Sequence, residues 1–211
     1  MPGRLIVLEG GDGSGKTTLA AALAAALAAE GHQILATREP GGTAEGLVLR
    51  SLLLAENGTV WEPEAELLLV MAARVQHVRR VIAPALAAGA IVLCDRFVGS
   101  TLAYQGSGGG IAPAIILGLH HDLVGDLWPD ATLLLDLDPA VALARSRARL
   151  AATADNEGRF EARDLSYHQR VRQGFLALAH ARPGWTVLDA SLPQAALLAA
   201  ARAALQPLLS V

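Results

Sequence analysis

Several things are missing from this chain. There is one cysteine, Cys94, so no disulfide can close within it, and a reducing, cytoplasmic setting fits. Basic residues are not in excess: 17 Lys and Arg stand against 20 Asp and Glu, a formal charge of −3. A non-specific nucleic-acid binder would be strongly basic, so that class is excluded. No apolar run is long enough to span a bilayer, although the mean hydropathy is +0.39. Ala20–Ala29 holds ten residues, and Leu192–Val211 is interrupted by Pro193, Gln194, Arg202, Gln206 and Pro207. The start, Met1–Glu9, carries one arginine and its apolar run stops at Glu9, so it does not read as a signal peptide. Internal repeats and long linkers are also lacking. What remains is 211 residues, 53% hydrophobic and 18% charged. That composition excludes disorder and favours one domain, or one domain with a small mobile insert, able to bury roughly 70% of its unfolded surface.

Five short apolar runs alternate with helical stretches. The runs are Leu5–Leu8, Gln33–Thr37, Ala90–Cys94, Ala131–Leu137 and Trp185–Leu188. Continuous runs such as Leu5-Ile6-Val7-Leu8 read as strands buried on both faces, which means a parallel sheet under helices. Between them, helices are expected at Lys16–Glu30, Glu64–Ala88, Pro113–Gly125, Pro139–Leu150, Asp164–Ala181 and Pro193–Leu208. Gly31 and Gly89 stand where left-handed stop residues belong, Pro139 and Pro193 where first-turn prolines belong, and Pro84 argues against an unbroken third helix. The βαβα alternation gives an α/β class with helices on both faces. Ala151–Arg163 is polar, with Asp155, Asn156, Glu157 and Gly158, and reads either as a surface loop or as a lid. Gly106–Gly110 reads as a flexible surface loop.

The first strand runs into Gly10-Gly11-Asp12-Gly13-Ser14-Gly15-Lys16-Thr17, followed by Thr18 and a helix. This fits G-x-x-x-x-G-K-[ST] in its required strand-loop-helix setting. Glycines let backbone amides converge on phosphate oxygens, and the helix adds its positive end. Lys16 reaches the β- and γ-phosphates, and the Thr17 hydroxyl suits a Mg²⁺ ion. The motif specifies a nucleoside triphosphate phosphate site and no acceptor. Asp95-Arg96 ends the third apolar run, at the carboxyl edge where open α/β sheets bind ligands. Asp95 reads as a holder of the Mg²⁺ water shell, as an orienter of the acceptor, or as half of a surface ion pair.

The stretch Asp95-Arg96-Phe97-Val98-Gly99-Ser100-Thr101-Leu102-Ala103-Tyr104-Gln105-Gly106 resembles the signature of the thymidylate kinases, P-loop kinases of nucleoside monophosphates. Three further blocks match in order: Arg38-Glu39-Pro40-Gly41-Gly42-Thr43, then Ala72-Ala73-Arg74 with Gln76, then Arg159-Phe160-Glu161 before Arg170-Val171-Arg172. The resemblance spans nearly the whole chain. It implies a three-layer P-loop kinase fold with a five-stranded parallel sheet in the order 2-3-1-4-5. One domain, 1–211, would carry a lid at about 150–163. It further implies transfer of phosphate from ATP to dTMP with Mg²⁺, small-molecule nucleotides as the only ligands, and a homodimer through the long third helix.

The resemblance also implies residue roles. Asp12 would meet the 3′-hydroxyl of dTMP, Arg38 and Arg96 its phosphate, and Arg74 the pyrimidine O4. Ser100 and Gln105 would line the pyrimidine site, and Tyr104 would pack by the deoxyribose. Guanidinium groups suit phosphate because they stay charged and donate in a fork. The phosphate loop has Gly13 where one form of the family has an arginine, so the sequence looks like the form that supplies this charge from the lid. Arg159 is expected to close over the transferring phosphoryl group, with Arg145, Arg147 and Arg149 on the preceding helix as further candidates. Asp189, after the last strand, would border the adenine. Val70 stands four residues before Arg74, where the family usually stacks a Phe on the thymine.

Other features read as structural. His120-His121 diverge on a helix and are expected at the surface. Asp136 and Asp138 are expected to cap the helix at Pro139. Cys94 is expected to be an inert core thiol. Two other functions fit the same motif: a P-loop kinase for another nucleotide or nucleoside, and a non-catalytic ATP-binding module. The set Lys16, Arg38, Arg96 and Arg159 argues against the second, since a sensor needs no acceptor-phosphate arginines.

Overall fold

Leu5, Ile6, Val7 and Leu8 are wholly buried, and they divide between two cores. Side chains alternate across a strand, so Ile6 and Leu8 face Leu19, Leu23, Leu197 and Leu205, while Leu5 and Val7 face Leu67, Met71 and Ile116. A strand with a core on each side has no polar face, which is why this run shows no alternation. Each such side chain contributes about 1.5–3 kcal/mol of burial.

A computed structural model of the chain describes residues 3–55, 59–153 and 157–210. The strands are β1 Arg4–Gly10, β2 Ile34–Arg38, β3 Ile91–Asp95, β4 Ala131–Asp136 and β5 Trp185–Asp189. All pairs are parallel, in the order β2-β3-β1-β4-β5. The register aligns Leu8 with Asp95, Arg38 with Asp95 and Asp136 with Asp189, so the charged ends gather at one edge of the sheet.

One face is covered by α1 Lys16–Ala29 and α9 Gln194–Leu209. The apolar residues Leu19, Leu23 and Leu27, and then Leu197, Ala201 and Leu205, recur every four residues and are buried. The other face carries α3 Pro63–His77 and α6 Pro113–Val124. Beside the sheet edge, α8 Leu165–Ala181 packs on a π-helical segment, Leu102–Gly108, which continues the short helix α5 Val98–Thr101. Gly31 and Gly89 adopt φ of +91° and +82°, as their stop positions require.

The structure departs from the sequence reading in several places. The stretch expected as one helix over Glu64–Ala88 is α3, a π-helical turn Val78–Ile82 and α4 Ala83–Ala87. Pro84 has no N–H and its ring crowds the preceding turn, so the regular ladder breaks just before it. An unforeseen helix, α2 Ala44–Leu54, follows the phosphate-side loop, with the Thr43 hydroxyl accepting from the Gly46 amide at 2.9 Å. It buries Leu53 but leaves Leu47, Val48 and Leu52 exposed, so its apolar residues trace no regular buried stripe. Gly106–Gly108 belong to the π-helical segment rather than a surface loop, and Gly106 is buried. His120 is fully buried, edge-on to Phe97 and within 3.0 Å of the Leu127 carbonyl, while His121 is exposed as expected.

Helix α7 runs over Pro139–Thr153, beyond the Leu150 end read from the sequence. Asp138 caps it, accepting from Ala140 at 2.9 Å, whereas Asp136 instead pairs with Arg172 at 2.7 Å. Asp155 and Asn156 lie outside the described residues. Cys94 is buried as expected, and burial pushes its thiol well above the usual range.

Candidate active site

The loop between β1 and α1 turns on Gly13 and Gly15, with φ of +81° and +93°. No acidic residue occupies the first turn of α1, so the helix start is left positive. Lys16 is 6% exposed and folds back over the loop, donating to the carbonyls of Gly10 at 3.0 Å and Gly11 at 2.8 Å. Burial and the nearby Arg96 charge push its ammonium down to about 8. It is the only lysine in the chain. The Thr17 hydroxyl donates to Asp95 Oδ2 at 2.8 Å, which places two oxygen groups side by side next to Lys16. The cleft around this loop is also lined by Thr18, Arg38, Arg50, Arg96, Arg145 and Arg149.

A second cavity adjoins the first and shares Asp12, Glu39, Arg50, Leu54, Arg96 and Phe160 with it. Arg96 is central. Its backbone is left-handed, with φ +74°, the one non-glycine case among the described residues. Such a conformation costs about 1–3 kcal/mol and persists only where surrounding bonds hold it. Here they do. Nη1 donates to Gly10 O and Ser100 Oγ, both at 2.9 Å, and Nη2 donates to Asp12 Oδ1 at 2.7 Å and Tyr104 Oη at 3.2 Å. The Tyr104 hydroxyl donates to Asp12 Oδ2 at 2.7 Å. Burial alone would raise the Asp12 carboxyl, but Arg96 and Lys16 hold it well below the carboxylate range.

Behind Ser100 stands Glu9, buried and accepting from the amides of Phe97 and Ser100 and from the Ser100 hydroxyl. Burial outweighs these bonds and pushes Glu9 up to about 7. Arg74, 1% exposed, lies across the far wall. Its Nε donates to Glu39 Oε2 at 2.7 Å and its Nη2 to Thr101 Oγ1 at 2.9 Å. Glu39 is in turn 3.1 Å from His77, which sits 2.6 Å from the Thr37 hydroxyl. Gly42 makes room for this network, since a Cβ there would fall 2.3 Å from the His77 ring. Val70, Ser100, Tyr104 and Gln105 complete the wall.

The arginines after β4 divide. Arg145 and Arg149 line the phosphate cleft. Arg147 donates to the Glu161 carbonyl at 2.8 Å. Arg159, expected over the transferring group, is instead bound to Glu66 and the Leu53 carbonyl, with its guanidinium 4.7 Å above the Phe160 ring. Asp189 accepts from Ser191 at the end of β5, beside the Ala190 carbonyl that Arg145 contacts at 3.4 Å.

A family model described as thymidylate kinase matches residues 8–200. The chain belongs to the thymidylate kinase family. It is 55% identical over 209 residues to a thymidylate kinase of Cereibacter sphaeroides, covering 99% of this chain and 96% of that one. A thymidylate kinase of Deinococcus radiodurans is 48% identical over 193 residues, 91% of each chain. The crystal structure of thymidylate kinase from Ehrlichia chaffeensis superposes with a TM-score of 0.79 at 33% identity, covering 98% of this chain and all of that one.

Every residue expected at the acceptor side of a thymidylate kinase except Arg38 lines the second cavity, and Arg38 lines the phosphate cleft. Sequence reasoning gave no site role to Glu39, Arg50 and Phe160, which line the cavities, or to Glu9 and Glu66, which hold Ser100 and Gln105 from behind. Arg50 left no signal because its helix was not foreseen. Phe160 was visible only as a letter in a loose block, and the structure sets its ring 5.5 Å from that of Tyr104.

Proposed function

We propose that the protein transfers the γ-phosphoryl group of ATP to dTMP, giving ADP and dTDP. The observation that carries this reading is the shared wall of the two cavities. Arg96 and Asp12 face both, so a triphosphate on the loop and a monophosphate in the second cavity meet at one guanidinium. The loop amides, Lys16 and Thr18 bind the donor phosphates, and Arg145 and Asp189 border its base. Arg38 and Arg96 fix the acceptor phosphate, Arg74, Ser100 and Gln105 read the pyrimidine, and Asp12 and Tyr104 meet the sugar. Two anions repel, and the cleft answers with Lys16, Arg38, Arg96 and Arg149. No strong base is needed, because the acceptor phosphate is already an anion; positioning and charge stabilisation dominate.

The Thr17 hydroxyl and the Asp95 carboxylate are hard oxygen donors and fit Mg²⁺, directly or through its waters. Held by these two residues, such an ion would supply positive charge to the donor phosphates. The segment after α7, including Glu157 and Arg159, serves as the lid. A homodimer forms over α2 and α3, which expose Leu47, Val48, Leu52 and Leu68. The cytoplasm is the compartment assigned. Among the described residues, no helix is long and apolar enough to cross a membrane.

A coupled ADP-release assay across all nucleoside monophosphates tests the function. We expect turnover with dTMP far above that with any other acceptor, and none without an acceptor. ADP release indifferent to dTMP would reduce the protein to an ATP-binding module. Lys16→Ala serves as the control: turnover falls at least about 10³-fold, a few kcal/mol of lost charge stabilisation, with the fold intact.

A further inference from the structure

One buried carboxylate joins two parts of the molecule that the reaction must coordinate. Glu66 lies in the first turn of α3 and is 6% exposed. Its Oε1 accepts from Gln105 Nε2 at 2.7 Å, and its Oε2 accepts from the Arg159 guanidinium. Gln105 comes from the π-helical segment and lines the acceptor cavity. Arg159 comes from the lid side, does not line that cavity, and also holds the Leu53 carbonyl. Its neighbour Phe160 does line it. The two donors are 54 residues apart in sequence and meet on one side chain.

The chemistry of this bridge has a direction. A carboxylate only accepts, so Gln105 must turn its NH₂ end to Glu66. Its carbonyl Oε1 takes no partner among the described residues and is the polar end left for a ligand. An acceptor at that place suits a ring N–H, which a 4-oxo pyrimidine carries at N3. A 4-amino pyrimidine has a lone pair at N3 and would meet oxygen with lone pair. Leaving such a buried pair unmatched is costly, which is how hydrogen-bonding sites discriminate strongly.

We propose that Glu66 is a positioning residue that sets the hydrogen-bond polarity of Gln105 and ties acceptor recognition to the placement of Arg159 and Phe160. The inference rests on the reading of the second cavity as the dTMP site. It assigns to Glu66 two effects that a packing residue would not produce. The first is selectivity between bases. The second is a loss of acceptor affinity when Arg159, outside the cavity, is removed.

The test measures Kd for dTMP and dCMP by calorimetry in the parent, Glu66→Gln, Arg159→Ala and the double variant, with a melting temperature for each. In Glu66→Gln one oxygen remains, and Arg159 claims it. The new NH₂ then faces Gln105, which turns its oxygen inward and offers NH₂ to the cavity. We expect dTMP to weaken at least about tenfold and the preference for dTMP over dCMP to narrow at least about tenfold. Arg159→Ala should weaken dTMP about threefold or more, and the double variant should be no weaker than the worse single variant. If Glu66→Gln does not fold, Arg159→Ala alone decides, since it leaves α3 untouched. An unchanged preference for dTMP in Glu66→Gln, additive losses, or an Arg159→Ala variant that binds dTMP as the parent does would each overturn the proposal. A parent that binds no dTMP would overturn the underlying reading instead.

Discussion

At the scale of single residues, the chemistry of the site rests on groups whose environment changes their charge or reach. Val70 lines the acceptor cavity beside Arg74, and a valine offers no π surface to a base. Stacking on an aromatic ring is worth roughly 1–3 kcal/mol. Val70→Phe should therefore tighten dTMP by about five- to a hundredfold in calorimetry. If the nearby Phe160 already covers the base, Phe at 70 overpacks the wall, and the melting temperature falls with no gain in affinity. Glu9 carries a different consequence. Its carboxyl titrates near 7 when folded and at the ordinary 4.5 when unfolded. Between these values the folded state holds a proton that the unfolded chain has released. Stability is therefore present in full below about 4.5 and is lost as pH rises through about 7. The expected result is a melting temperature that drops several degrees between pH 5 and 8 in the parent, and by less in Glu9→Gln. Equal slopes would show that Glu9 does not titrate in this range. Lys16 was readable at the phosphate cleft from the loop motif, and Asp12, Arg38 and Arg96 at the two cavities from the family resemblance. Glu9, Glu39 and Glu66 were not, because a buried carboxylate takes its meaning from partners such as Ser100, Arg74 and Gln105, tens of residues away in sequence.

At the scale of elements, strands were easier to read than helices. A strand buried on both faces leaves a short unbroken apolar run, and all five runs became strands in the expected order. Helix α2 could not be read that way, since Leu47, Val48 and Leu52 point outward. Of the arginines expected to supply the lid charge, Arg145 and Arg149 line the phosphate cleft, while Arg159 is held by Glu66 and the Leu53 carbonyl. Gly13 shows why the loop itself carries no such charge. A Cβ at Gly13 would lie 2.0 Å from the Ala142 carbonyl, so the loop presses directly on α7 and has no space for a side chain there. Arg145 and Arg149, one and two turns on along the same helix, are the cations that line the cleft there. Arg149→Ala should lower kcat roughly a hundredfold while the KM for dTMP moves less than about threefold. Steady-state kinetics in both substrates checks this. A loss confined to KM would make Arg149 a binding group only.

At the scale of the whole molecule, the parallel sheet collects its functional ends on one edge, and both cavities open there. Asp12, Arg96 and Phe160 line both compartments, so the two lie side by side. That adjacency has a consequence for ligands rather than for catalysis. A single molecule carrying a donor nucleotide at one end and a thymidine nucleotide at the other, joined through phosphates, would occupy both compartments at once. Its second end would bind at an effective concentration set by the tether, not by the solution. Avidity of this kind exceeds either half by about 10²–10⁴ when the tether spans the gap and vanishes when it does not. A series differing by one phosphate at a time, measured by competition against dTMP, should show one sharp optimum in affinity. The tether length at that optimum would be a direct measure of how far apart the two substrates are held.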